Sequence, residues 1–214
     1  MSAEKYVYIE HKGAEANSPL LFLFHGTGGD EHQFFDLAAQ LKPGVRRIAT
    51  RGDVSEGGAS RYFKRLAEGQ YDMADLARAT AKMGAFVRDR LGVERPSEVI
   101  GLGYSNGANI LASVLFEAPD LFDTAVLLHP LIPFAPQPQP GLKGRRLLIA
   151  AGKRDPICPA TATQALADYF SAQGAEVSLF WHEGGHEIRQ EELHAIGNFL
   201  AAPRVGDEVF DPRL

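Results

Sequence analysis

The chain has 214 residues, 45% of them hydrophobic, with 22 basic and 27 acidic residues and a formal net charge of -5. This length is enough for one domain with a substantial core, and an acidic chain without a long run of Lys or Arg is not expected to bind nucleic acid. The single cysteine, Cys158, excludes an internal disulfide bond, and no segment approaches the roughly 20 apolar residues of a membrane span, so we expect a soluble protein of the cytoplasm.

Strand patterns and helix patterns alternate along almost the whole chain. Residues 6–9 alternate weakly, which is typical of an antiparallel edge strand. Helical spacing of apolar residues follows the possible N-caps Asp30 and Asp72 and returns over 110–115, 165–170 and 188–200. Six apolar runs predict buried strands, at 20–24, 45–49, 99–102, 125–128, 147–151 and 177–181.

This alternation predicts the α/β class, with an open, mainly parallel sheet, helices on both faces and a ligand site at the carboxyl ends of the strands. We expect residues 1–203 to form a single domain and residues 204–214 a weakly ordered tail. The proline-rich stretch 130–141 and the glycine-rich stretch 52–60 are predicted to be irregular. We expect no cap domain, because no insertion after the strand at 125–128 is long enough to form one.

The most informative segment is an apolar strand that runs into Gly-Tyr-Ser-Asn-Gly at 103–107 and then into a helix. This is the context of a nucleophile elbow, in which flanking glycines leave room for a sharp turn that exposes the serine hydroxyl. Ser105 is the predicted nucleophile. A simple N-cap role would explain the serine but not both glycines, and a dinucleotide loop would need glycine where Asn106 stands.

A serine hydroxyl is a weak nucleophile unless a base takes its proton and a third group orients that base. Asp155 follows the strand at 147–151, and His186 follows the strand at 177–181. Either residue alone would suit an ordinary turn or a surface loop. Their joint position after successive strands, in the order Ser105, Asp155, His186, predicts a catalytic triad.

The string His-Glu-Gly-Gly-His at 182–186 also matches the H-E-x-x-H pattern of zinc proteases. That pattern binds zinc from a helix, where two histidines one turn apart face one metal. Here two glycines separate the histidines, each costing about 1 kcal/mol of helix stability relative to Ala. We therefore expect His182 at a strand end, His186 in a loop, and no metal.

The glycine-rich turn His-Gly-Thr-Gly-Gly-Asp at 25–30 follows an early strand and precedes a helix. We expect the backbone N–H groups of Thr27 and Asn106 to form an oxyanion hole. A phosphate cradle is the alternative, but the Lys-Ser/Thr ending of a P-loop is absent. No partner is evident in the sequence for the histidines at 11, 32, 129 and 194, and Cys158 is expected to be a small filler near the site.

The segments HGTGGDE, GYSNGAN, GKRDPICP and EGGHEI together resemble the small α/β-hydrolases of the carboxylesterase and phospholipase family, which includes acyl-protein thioesterases. GYSNGAN and the stretch from Arg61 to Asp75 are most similar to a branch of bacterial carboxylesterases. The resemblance implies the α/β-hydrolase fold, the roles already given to the triad and oxyanion residues, and a homodimer. Asn106 departs from the Gln that usually follows the nucleophile in thioesterases and lysophospholipases.

These observations predict a serine carboxylesterase without cofactor that hydrolyses small or short-chain esters through an acyl-enzyme. We expect loops to bound the pocket, with side chains contributed by five residues: Phe63, Leu131, Ile132, Phe134 and Ile157. A lactone or dienelactone hydrolase, or an acyl thioesterase or lysophospholipase, would use the same fold. A binding protein that has lost turnover is the alternative from outside the enzymes.

Overall fold

The computed structural model describes residues 6–13 and 18–203. Two strands precede the first helix, β1 (Val7–His11) and β2 (Leu20–Phe24), and they are followed by α1 (Phe35–Leu41) and β3 (Arg46–Arg51). Two hairpins come next, formed by β4 (Val54–Glu56) with β5 (Ala59–Arg61) and by β6 (Arg65–Ala67) with β7 (Gln70–Tyr71).

The second part of the chain alternates strand and helix. Its elements in chain order are α2 (Met73–Leu91), β8 (Val99–Tyr104), α3 (Asn106–Glu117), β9 (Thr124–Leu128), β10 (Arg146–Gly152), α4 (Ala160–Ala172), β11 (Glu176–His182) and α5 (Gln190–Ala201). Short 3-10 turns occupy Pro119–Leu121 and Pro140–Leu142. None of the described helices combines the length and the apolar character needed to cross a membrane.

Seven strands form one sheet in the order β1-β3-β2-β8-β9-β10-β11. β1 pairs antiparallel to β3, whereas all other neighbours in this sheet are parallel. The predicted antiparallel edge strand and the mainly parallel sheet are therefore confirmed. The carboxyl ends of β8, β9, β10 and β11 lie along one edge of the sheet, which is where this class of fold builds its ligand sites.

The sheet has an apolar core on each face. Along β2, Phe22 and Phe24 pack into a cluster with α2, α3 and α4, while Leu21 and Leu23 pack into a second cluster with α1 and α5. Successive side chains of a strand point to opposite faces, so a strand that is apolar at every position must be covered on both. The continuous apolar runs in the sequence thus account for helices on both faces.

One predicted irregular stretch is wrong, because residues 52–60 contain most of the β4–β5 hairpin. Gly57 and Gly58 occupy the turn with φ values of 58° and 92°, and glycine is the residue that reaches positive φ without steric cost. The stretch 130–141 does form a loop that ends in the 3-10 turn, without a cap domain. The predicted tail at 204–214 lies outside the described residues.

Candidate active site

Ser105 lies in a sharp turn between β8 and α3, with φ 52° and ψ -115°. A Cβ on Gly103 would lie 2.4 Å from the Gly107 carbonyl oxygen, and one on Gly107 would lie 2.2 Å from the carbonyl oxygen of Phe24. Neither position can hold a side chain while the turn keeps this shape. The two glycines of the motif are therefore required by close backbone packing around the serine.

A continuous line of hydrogen bonds joins the three residues predicted as the triad. Ser105 Oγ lies 2.9 Å from His186 Nε2, and His186 Nδ1 lies 2.7 Å from Asp155 Oδ2. Since an ionised carboxylate only accepts hydrogen bonds, Nδ1 donates to Asp155 and Nε2 is left to accept the serine proton. Tyr104 donates a 2.7 Å hydrogen bond to the His186 carbonyl oxygen and holds the loop that carries the imidazole.

The Asp155 carboxylate is buried and has both oxygens engaged. Oδ1 accepts the backbone N–H groups of Ile157 and Cys158 at 2.8 and 2.9 Å. Burial raises the pKa of Asp155, but these amides and the imidazoles at Oδ2 outweigh burial, so the pKa lies below its ordinary value. Asp155 is thus an anion that can orient an imidazole and stabilise positive charge on it.

The two predicted oxyanion residues lie beside Ser105 and line the same cavity. The Thr27 hydroxyl accepts a 2.8 Å hydrogen bond from the Arg61 guanidinium, and the Asn106 side-chain oxygen accepts a 2.8 Å bond from the Tyr62 backbone. Both residues are therefore tied to the end of β5, Thr27 to its last residue and Asn106 to the residue that follows it. Side-chain anchoring of this kind restricts the movement of the backbone around Ser105.

His25 links the Thr27 turn to the rest of the site. Its Nδ1 donates to the Gly26 carbonyl oxygen at 2.6 Å, and its Nε2 accepts from the Gly52 backbone at 2.8 Å. Burial lowers the pKa of His25, in agreement with a neutral ring that donates on one side and accepts on the other. The ring therefore connects the loop after β2 to the loop after β3.

A cavity of about 300 Å³ opens at Ser105 and His186. Leu131 and Ile157, two of the predicted pocket residues, line it together with polar side chains that include Arg61, Tyr71 and Asn109. Polar groups therefore make up much of a wall that the sequence predicted to be apolar.

The structure places the other three predicted pocket residues elsewhere. Phe63 is fully buried with its ring against Tyr71, at a centroid distance of 4.8 Å, so Tyr71 lies at the cavity instead. Ile132 and Phe134 border a separate groove beside α4. In the loop after β9, the Leu131 backbone is held at the cavity, because its N–H donates to Asn109 Oδ1 and its carbonyl oxygen accepts from Tyr71.

The sequence contained little that would reveal the polar wall. Tyr71 donates its hydroxyl to the Leu131 carbonyl oxygen at 2.5 Å and accepts from Asn109 at 2.7 Å. Arg61 is 3% exposed and bonds Thr27, which makes it a buried cation beside the cavity. These contacts join residues 34 to 60 positions apart in the chain. The segment from Arg61 to Asp75 therefore forms part of the cavity wall, a role that the periodicity of its residues does not indicate.

His182 and His186 do not share a helix. β11 ends at His182, and a segment of bends without helix or strand follows until α5 begins at Gln190. His182 Nδ1 accepts the Gly184 N–H at 2.9 Å, and its Nε2 lies 3.2 Å from Glu192 on α5, whereas His186 Nε2 faces Ser105. The H-E-x-x-H string therefore lacks the helical geometry that a zinc protease requires.

His129 is a further residue that sequence reasoning missed. The imidazole is fully buried, and its Nδ1 lies 2.9 Å from Asp155 Oδ2, the oxygen that also binds His186. The available signal was its position directly after the strand at 125–128, between the strands that lead to Ser105 and Asp155. Residues that follow parallel strands meet at one edge of the sheet, which applies to this histidine as well.

Comparison with known proteins identifies the family of the chain. No family model matches the chain. MhqD of Bacillus subtilis (strain 168), whose name places it provisionally among the hydrolases, is 38% identical over 187 residues, which are 86% of this chain and 92% of MhqD.

Two solved structures extend the similarity to the fold. The protein Atu2452 of Agrobacterium tumefaciens, whose function is unknown, is 52% identical with a TM-score of 0.86 over 94% of this chain and 98% of its own. The Bacillus cereus carboxylesterase is 33% identical with a TM-score of 0.87 over 92% of this chain and 94% of its own. With similarity of this extent to an esterase and a hydrolase, the chain belongs to the small α/β-hydrolases of the carboxylesterase family and is a carboxylic ester hydrolase.

Proposed function

We propose that this esterase hydrolyses small carboxylic esters through an acyl-enzyme formed on Ser105. The observation that carries the proposal is the line of hydrogen bonds from Ser105 Oγ to His186 and on to Asp155, at 2.9 and 2.7 Å, beside an open cavity. In this arrangement the nucleophile contacts its base and the base contacts the group that orients it.

The proposed reaction has two halves. Ser105 Oγ attacks the ester carbonyl while His186 Nε2 takes its proton, and the backbone N–H groups of Thr27 and Asn106 stabilise the oxyanion. His186 then gives the proton to the departing alcohol. In the second half His186 takes a proton from the water that attacks the acyl-enzyme, and returns it to Ser105 Oγ as the bond between this oxygen and the acyl carbon breaks and the acid leaves.

The cavity supports small acyl groups. Its volume of about 300 Å³ is at the lower end of the range for ligand pockets, and part of its wall is polar, from Arg61, Tyr71 and Asn109. A long alkyl chain would replace water with apolar surface at this polar wall, above all at the Arg61 guanidinium, and removing a charged group from water costs free energy. Short acyl groups, and those that carry a polar substituent, avoid this cost.

We expect the rate on nitrophenyl esters to be highest for acyl chains of about two to six carbons, because each further methylene gains roughly 0.8 kcal/mol only if an apolar wall can bury it. The measurement is kcat/KM across the series from acetate to palmitate, with Ser105→Ala as the control for non-enzymatic and contaminant hydrolysis. A maximum at palmitate would contradict the proposed substrate size.

The same panel should include thioesters and lactones, which the fold could also process. Labelling by a fluorophosphonate probe that is abolished in Ser105→Ala would support the acyl-enzyme route and argue against a binding protein without turnover. Full ester hydrolysis by Ser105→Ala would overturn the assignment of the nucleophile.

A further inference from the structure

A second group of ionisable side chains is buried next to Asp155 and contacts it through His129. His129, His182 and Glu192 are each at most 2% exposed, and they come from the loop after β9, the end of β11 and the first turn of α5. His129 Nε2 lies 3.2 Å from Glu192 Oε1, and His182 Nε2 lies 3.2 Å from Oε2 of the same carboxylate. Buried charges of this kind persist only when they are paired.

Hydrogen bonding fixes the protonation of His182. Its Nδ1 accepts the Gly184 N–H at 2.9 Å and so carries a lone pair. The proton of the neutral ring must then be on Nε2, which faces Glu192. His182 therefore neither adds a positive charge nor offers Nε2 to a metal, because a metal-bound histidine donates its other ring nitrogen to an acceptor.

Glu192 lies among groups that interact well with a carboxylate. The residue is in the first turn of α5, where the helix dipole favours a negative charge, and its Oε2 accepts the Arg189 backbone N–H at 2.9 Å. His182 Nε2 lies 3.2 Å from the same oxygen, outside hydrogen-bonding geometry, so it adds no hydrogen bond to the carboxylate. A buried carboxylate in this position still needs a cation, and His129 is the side chain that faces its other oxygen.

His129 faces a carboxylate from each of its ring nitrogens. Nδ1 lies 2.9 Å from Asp155, and Nε2 lies 3.2 Å from Glu192. A neutral imidazole has only one N–H, whereas an imidazolium donates from both nitrogens. Burial lowers the pKa of His129, but the hydrogen bonds to Glu192 and Asp155 outweigh burial and the pKa is raised overall.

We propose that His129 is a positioning residue that is protonated at neutral pH, an imidazolium held between Glu192 and Asp155 that both fixes the Asp155 carboxylate and opposes protonation of His186. The proposal rests on the proposed role of His186 as base. His186 and His129 bind the same oxygen, and their rings are 5.1 Å apart. A positive charge at this distance works against a second positive charge on His186.

The other groups around His129 do not cancel this charge. The Tyr104 ring lies 5.8 Å away, and Cys158 donates its thiol to the His129 carbonyl oxygen. Burial raises the pKa of Tyr104 to about 12 and raises that of Cys158, so both stay neutral. The charged set that faces His129 consists of the anions Asp155 and Glu192 and, when it is protonated, His186.

The first test is the pH dependence of kcat/KM for a short-chain ester. His129→Asn keeps a donor toward Asp155 without the charge, and Glu192→Gln keeps an oxygen for the Arg189 N–H while removing the anion that holds His129 protonated. With the positive charge gone, we expect the acid limb of both profiles to move to higher pH by about one unit. Folded variants with the wild-type acid limb would overturn the proposal.

The second test measures the protonation of the His129 ring nitrogens in the wild-type protein. Nitrogen-15 NMR of the histidine side chains should show both His129 nitrogens protonated at pH 7, and His182 protonated only at Nε2. An unprotonated His129 nitrogen at that pH would contradict the imidazolium whatever the activity data show. This spectrum does not depend on turnover, so failure of this inference is distinct from failure of the acyl-enzyme route, which Ser105→Ala tests.

Discussion

Ser105 and His129 are, among the described residues, the two other than glycine with a positive φ, at 52° and 50°. Such conformations cost roughly 1–3 kcal/mol each and persist where the surrounding structure enforces them. Both residues follow central strands, and each donates its backbone N–H to the next strand, Ser105 to Leu128 and His129 to Ala150. The strain is therefore concentrated at the edge of the sheet where Ser105 contacts His186 and His129 contacts Asp155.

The two histidines of the H-E-x-x-H string should differ sharply when they are replaced. His186→Ala removes the group that contacts Ser105 Oγ, and we expect kcat to fall by at least about a thousandfold, as for the loss of a triad member. His182→Gln removes a buried ring that contacts Glu192. It should lower the free energy of unfolding by about 1–3 kcal/mol and leave kcat within about tenfold.

Steady-state kinetics and urea unfolding measure the two effects separately. A chelator provides the control, because a metal mechanism would make the wild-type rate depend on the ion. If chelation abolished activity, zinc restored it, and both histidine variants were equally inactive, the serine mechanism would have to be abandoned.

At the scale of elements, the β4–β5 and β6–β7 hairpins build the wall of the site that the main sheet does not supply. Arg61 ends β5 and reaches Thr27, while Tyr71 ends β7 and reaches Leu131 and Asn109. Strands of two or three residues are too short to show a period. The Gly-Gly pair at 57–58 indicated a turn in the sequence. The residues that Arg61 and Tyr71 contact are distant in the chain, so the sequence did not indicate these contacts.

The elbow between β8 and α3 can be tested through its glycines. A Cβ at Gly107 would lie 2.2 Å from the Phe24 carbonyl oxygen, and backbone atoms cannot move away cheaply. We expect Gly107→Ala to lower the free energy of unfolding by more than about 3 kcal/mol or to prevent folding, since the clash is with a buried central strand.

The matched control for that variant is Gly197→Ala in α5. No atom lies within 4 Å of a Cβ built on Gly197, and alanine is favoured over glycine in a helix by about 1 kcal/mol. The control should therefore be neutral or slightly stabilising in thermal unfolding. Equal stability of the two variants would show that the elbow tolerates a side chain, against the packing described above.

At the scale of the whole molecule, several carboxylates make stability depend on pH. The Arg51 hydrogen bond lowers the pKa of Glu31. Burial raises the pKa values of Asp75 and Asp155, but hydrogen bonds, from Arg78 among others, lower them overall. A carboxylate whose pKa is lower in the folded than in the unfolded protein stabilises the fold at pH values above its unfolded-state pKa. That stabilisation is lost as the pH falls through its folded-state pKa.

We therefore expect the urea midpoint to be nearly constant between pH 5 and 6 and to fall as the pH drops below about 4. His129 has the opposite sign, because its pKa is raised. Its contribution is complete below about pH 6.5, the ordinary histidine value, and is lost as the pH rises through the folded value. A midpoint that stayed constant from pH 7 down to 3 would contradict the acid part of this prediction.

Sequence alone determined the class of fold and the positions of the motif residues. Apolar runs such as 20–24 and 99–102 are hydrophobic at every position, and a strand of that kind must be covered on both faces. The glycines around Ser105 reflect local backbone geometry, and Asp155 and His186 follow strands whose parallel arrangement brings them to one edge. Each of these inferences uses either residues that are near in sequence or the rule that the carboxyl ends of parallel strands lie at one edge of the sheet.

Tertiary structure decided which side chains surround that edge. The position of His129 after a strand indicates the edge of the sheet where it lies, but not that its buried ring contacts Asp155 and Glu192, 26 and 63 residues away. Arg61 and Tyr71 lie at the cavity in place of the predicted Phe63, Ile132 and Phe134 for the same reason. Hydrogen bonds between distant residues depend on the relative placement of whole loops, and periodicity, which reports only the face of an element, carries no information about that placement.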